Sequence, residues 1–135
     1  MTVLIGAELL LAVADAIEAN PDNYNQEDWI ASDEVLQDAP QTKRFDALIE
    51  GSCGTTACVA GWCVAINAKN KSIRNRIKNL GDSDSVGDMA AKLLWPLLEQ
   101  NEADELFQAN WRPLSSKSVS SALRKIAKGK RVSEV

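Results

Sequence analysis

Residues 55–68 read Thr55-Thr56-Ala57-Cys58-Val59-Ala60-Gly61-Trp62-Cys63-Val64-Ala65-Ile66-Asn67-Ala68, fourteen positions without a single charge. A helix over this stretch is apolar around nearly its whole circumference, and such a helix belongs in the interior of a domain. Ala57, Gly61 and Ala65 recur every four residues and form a smooth ridge on which a second helix can lie closely, while Val59, Trp62, Cys63 and Ile66 supply bulk elsewhere. Gly61 costs about 1 kcal/mol in helix propensity relative to alanine. Close backbone approach is the economical reason for its presence.

The flanking segments read as the helices that cover such a rod. Upstream, Leu10, Val13, Ala14 and Ile17 fall at i, i+3, i+4 and i+7 within a segment from Gly6 to Ala19, which Pro21 ends. Residues 20–40 are polar and turn-rich, with Trp29 and Ile30 as apolar pins and Ser32 placed to cap a short helix before Pro40. Downstream, residues 69–80 set Lys71, Arg74, Arg76 and Lys78 around Ile73, Ile77 and Leu80, and Gly81 stops the segment. Asp84 or Ser85 caps a helix whose face is Val86, Met89, Ala90, Leu93 and Leu97, broken after Trp95 by Pro96. A short helix from Asn101 carries Leu106 and Phe107, Trp111-Arg112-Pro113 forms a turn, and Ser115 or Ser116 caps a last helix with the stripe Val119, Ala122, Leu123 and Ile126. No strand, repeat or low-complexity tract stands out.

The chain has 135 residues, enough for one domain and too few for two of ordinary size. Eighteen alanines and only seven aromatic residues favour closely packed helices. The expectation is an all-α bundle of five to seven helices around the apolar helix 55–68, with the N-terminal helix and the helices at 84–95 and 115–128 packed on it. The domain occupies residues 1–128 and is followed by a flexible basic tail, 129–135.

Composition excludes more chemistry than it suggests. There is no histidine, so Ser-His-Asp and Cys-His catalysis are both out. Cys53, Cys58 and Cys63, an odd number within eleven residues, do not resemble a secreted disulfide framework and point to a reducing cytoplasm. The same inference disfavours a Cys53–Cys58 disulfide. The apolar start lacks a basic region, is interrupted by Glu8, and is too short to span a bilayer. A nucleophilic Cys53 at a helix N-terminus has no identifiable base. Three-cysteine zinc binding fails because steps of five residues turn a helical side chain by about 140°. In the stretch from Asp82, Val86 stands where a calcium loop needs an oxygen ligand and Leu93 where it needs its closing bidentate Glu, and a helix-turn-helix over 74–95 would aim Asp84 and Asp88 at phosphates. No catalytic residue, metal ligand or cofactor is therefore expected.

Charge is unevenly placed: residues 1–70 carry eleven acids and three bases, and residues 71–135 carry eight acids and twelve bases. The acidic half argues against wrapping of nucleic acid along the whole chain. Two basic clusters, at 71–78 and 124–131, read first as solvated helix faces and second as contacts for an acidic partner or nucleic acid. Candidate interaction residues are Trp29, Lys71, Arg74, Arg76, Lys78, Trp95, Trp111 and Arg112. Trp62 belongs to the core.

The run Cys53-Gly54-Thr55-Thr56-Ala57-Cys58-Val59-Ala60-Gly61-Trp62 resembles the CGTxxCxAGW signature of small proteins encoded by actinobacterial genomes and by the tailed bacteriophages that infect those bacteria. Ala90-Ala91-Lys92-Leu93-Leu94, Ala103-Asp104-Glu105-Leu106-Phe107 and Trp111-Arg112-Pro113 are similar to the second half of those proteins, so the resemblance runs from about residue 5 to 128. It departs from them at 69–80, where family members have a shorter loop. The resemblance implies a phage or mobile-element origin and a small helical fold, with no established activity. Cys53, Gly54, Thr55, Cys58, Gly61 and Trp62 then read as a structural motif. The functional expectation is a non-enzymatic cytoplasmic module that binds a host protein and inhibits or redirects it, with no membrane association and with a homodimer left open. Nucleic-acid binding through the basic clusters is the alternative. A further one is DNA mimicry by Asp22, Glu27, Asp28, Asp33, Glu34 and Asp38.

Overall fold

The computed structural model describes residues 2–26, 30, 41–50, 56–79, 84–108 and 116–134. Seven α-helices follow in order among these residues: α1 (Gly6–Ala19), α2 (Gln41–Ile49), α3 (Val59–Ile66), α4 (Lys71–Lys78), α5 (Asp84–Leu94), α6 (Gln100–Leu106) and α7 (Ser116–Ala127). Short 3-10 turns occupy Pro21–Asn23 and Val132–Glu134. The protein is an all-α domain. Among the described residues, no helix is long and apolar enough to cross a membrane.

The apolar rod is interior as expected: every residue from Val59 to Ala65 is buried. It is also shorter than its composition suggests. Ala57 donates its N–H to the Asn23 carbonyl and accepts from the Asn25 N–H, both at 3.0 Å, in an isolated parallel bridge with the 20–26 segment. With both backbone groups engaged sideways, Ala57 cannot enter the helix, and α3 begins after the extended Cys58. The four-residue ridge therefore reduces to Gly61 and Ala65.

Around α3 stand α1, α2 and α5. Helix α7, expected on the rod, packs principally on α1, and α2, which the sequence does not announce as a helix, takes the vacant side of α3. Helix α4 lies on α2, and α6 on α5. The stripes read from the sequence are buried: Leu10, Val13, Ala14 and Ile17 on α1, Ile73 and Ile77 on α4, Val119, Ala122, Leu123 and Ile126 on α7. Fully burying side chains of this size contributes about 1.5–3 kcal/mol each, which fixes each amphipathic helix to one neighbour. Helix α5 stops at Leu94, ahead of a cis Trp95–Pro96 peptide.

Two buried side-chain amides, Asn67 and Gln26, and one backbone carbonyl, that of Asn23, hold the non-helical connections. The Asn67 side chain accepts from the Leu4 N–H (2.8 Å) and donates to the carbonyls of Leu4 (3.0 Å) and Cys63 (3.3 Å), tying the arm before α1 to the end of α3. Gln26 donates to the carbonyls of Leu106 and Gln108 and accepts from the Tyr24 hydroxyl and the Val59 N–H, joining α6 to the start of α3. The Asn23 carbonyl accepts from the Trp62 indole at 3.2 Å. Past α7, Gly129 at φ +109° closes a turn in which Gly129 N–H reaches Ile126 and Lys130 N–H reaches Lys125. Val132 is then buried to 2% exposure, and its turn packs on α6. The chain from 129 onward is docked this far, where a free tail was expected, because Val132 has apolar surface to cover.

Candidate partner-binding cleft

A cleft of about 460 Å³ opens where α2, the end of α3 and α4 meet. Its apolar floor is Ile49 from α2, Ala65 and Ile66 from α3, and Ala68 from the connection that follows. Ile49 is 38% exposed, an unusual outcome for an isoleucine on a helix that buries Phe45 and Leu48. The rim carries two carboxylates, Asp46 and Glu50, and two cations, Lys69 and Arg74.

The rim is braced across helices. Arg74 donates through both terminal nitrogens to both Asp46 oxygens, at 3.0 and 2.8 Å, and also reaches the Ala68 carbonyl at 3.3 Å. A fork of this kind fixes orientation as well as charge. These bonds hold the Asp46 carboxyl below the usual carboxylate range, against an opposing contribution from burial and with help from the charges of Arg74 and Lys69. Arg74 can occupy this place because Asn70 caps α4, its side chain accepting from the N–H groups of Ser72 and Ile73. The segment expected as a basic insertion is thus a capped helix with an apolar anchor.

Of the candidate interaction residues among the described ones, Arg74 alone lines the cleft, and there it is committed to Asp46. Lys71, Arg76 and Lys78 are exposed on α4. Trp95 is 59% exposed just beyond the end of α5. It lines no part of the cleft. Trp29, Trp111, Arg112, Cys53, Gly54 and Thr55 lie outside the described residues, as do all the acids of the mimicry reading except Asp22. Trp62, Cys58 and Gly61 are buried in the core.

Cys58 and Cys63 are buried reduced thiols. Burial, reinforced by Cys58, pushes the Cys63 thiol well above its ordinary pKa, the opposite of what a nucleophile needs. Among the described residues, no group of three His, Cys, Asp or Glu side chains is placed to hold a metal ion. The second basic cluster is divided as well: Arg124 bridges Asp15 at 2.9 Å and Glu18 at 2.6 Å on α1, while Lys125, Lys128, Lys130 and Arg131 are exposed.

The sequence carries little sign of Asp46, Ile49 or Glu50 as cleft residues. Asp46 and Ile49 sit on α2 and Glu50 just past its end, the short run of mixed residues has no strong stripe, and only the fold places it beside α4. Compared with protein-family models, with curated proteins and with solved structures, the chain matches none.

Proposed function

We propose that this protein is a non-enzymatic module that binds another protein, and that the cleft between α2, α3 and α4 receives an apolar side chain of that partner. One observation carries the reading: an open apolar floor of Ile49 and Ile66 set inside a rim of both charges. Such a site rewards a hydrophobic anchor ringed by polar contacts, which is the usual anatomy of a small interface. The rim supports recognition better than chemistry. Its Asp46 carboxylate is held ionised by bidentate Arg74, and the buried thiols of Cys58 and Cys63 have no access to it. The phage or mobile-element origin that the motif resemblance implies supports a host factor, inhibited or redirected, as the partner.

A photo-crosslinking side chain placed at position 49, irradiated in an extract of the cells in which the protein is naturally made, tests this. The expected result is one discrete adduct that disappears when Lys69→Glu is introduced in the same chain. A crosslinker at Ser121, on the exposed face of α7, should not form it. Adduct formation that ignores the rim substitution, or no adduct at all, overturns the reading.

A further inference from the structure

The cleft leaves the far side of the molecule without a role, and there the charge is arranged along a line. On α7, Lys117, Ser121 and Lys125 are exposed, as is Lys128 just past its end, and at 100° per residue they fall within an arc of about 80°. They extend over about 16 Å of helix. The C-terminal turn that follows adds Lys130 and Arg131, both exposed, and it is held in place by the Gly129 and Lys130 backbone bonds and by buried Val132. Among the described residues, none of these five cations has an ion-pair partner. Arg124, at the edge of the arc nearest α1, is the exception, and by bridging Asp15 and Glu18 it partly neutralises the acids that flank the stripe.

Helix α4 lacks this order. Arg76 projects about 140° away from Lys71, and Arg74 is bound to Asp46. The two basic clusters that look alike in the sequence are therefore unlike in space.

We propose that the exposed face of α7 and the turn after it bind the phosphate backbone of a nucleic acid. Repeated cations along one line match repeated phosphates along a strand, and the Ser121 hydroxyl supplies a neutral donor of the kind that commonly contacts phosphate oxygens. A membrane surface is the weaker match, because a helix that lies in a bilayer interface needs a free apolar face. Val119, Ala122, Leu123 and Ile126 are buried. With acids dominating the first half of the chain, the contact is local and does not wrap the nucleic acid.

Fluorescence anisotropy with a labelled duplex of about 20 base pairs, over salt from about 0.05 to 0.3 M, reads the proposal. Five engaged cations give a log–log slope of about −4.5. The triple variant Lys125→Gln, Lys128→Gln, Lys130→Gln should lose two to three units of that slope and about tenfold or more in affinity at the lowest salt. The pair Lys71→Gln, Lys78→Gln on α4 should change neither. If the triple variant melts early, Lys117→Gln with Arg131→Gln carries the same test with a loss of about two units. Equal weakening by the α4 pair, absence of salt-dependent binding, or binding to phosphatidylserine vesicles without binding to the duplex overturns the proposal.

Discussion

Tyr24 shows how a single side chain reports on the interior. Its hydroxyl donates to Gln26 at 2.9 Å, and burial, with the Cys58 thiol adding to it, raises its pKa far above the ordinary value. A raised folded-state pKa stabilises the fold fully below the unfolded value, about 10, and that contribution is lost as pH climbs toward the folded value. The chain has one tyrosine, so phenolate absorbance isolates it. We expect no phenolate signal in the folded protein through the range where free tyrosine titrates, and then its emergence together with alkaline unfolding. Asp46 works in the opposite sense. Held low by Arg74, it adds stability above the unfolded carboxylate value, about 3.9, and this is lost as pH falls through its folded value. Both side chains are a third exposed, so Asp46→Asn should cost no more than about 1 kcal/mol at neutral pH. The difference should vanish in urea titrations run near about pH 2.

At the level of elements, periodicity identified the helices with strong stripes and missed what depends on distant partners. Helices α1, α5 and α7 are readable because one face of each is apolar at helical spacing. Helix α2 is not, since its two large apolar anchors, Phe45 and Leu48, specify little until α3 and α4 lie beside them. The start of α3 was equally hidden: an uncharged run is compatible with a helix from residue 55, and only the pairing of Ala57 with Asn23 and Asn25 removes the first turn. Asn67 and Gln26 look like ordinary polar residues in the chain and prove to be buried connectors, for the same reason of distance in sequence. Asn67→Ala leaves both backbone groups of Leu4 without the side chain that satisfies them. It should lower stability by about 1–3 kcal/mol, visible as a shifted urea midpoint and as faster amide exchange at Leu4. Asn70→Ala should cost about 1 kcal/mol through the lost cap on α4 and, by loosening Arg74, weaken adduct formation at position 49.

Across the whole molecule, the placement of the core was legible, whereas the cleft was not. Burial of the α3 run follows from its lack of charge. The cleft joins Asp46 and Ile49 to Ala65 and Arg74, residues that only tertiary packing brings together. Charge clusters misled for a related reason, because a run in sequence does not say which members find partners. Arg74 and Arg124 brace helices, and the lysines of α7 face outward. The central claim is that α3 from Val59 to Val64 is dry scaffolding clasped by α1, α2 and α5, with only its end, at Ala65 and Ile66, reaching the cleft. Its most direct test is thiol labelling of the native protein at neutral pH, read peptide by peptide by mass spectrometry. Cys58 and Cys63, at 1% and 0% exposure, should stay unmodified until urea unfolds the chain. Prompt labelling of either in the folded state would contradict the account.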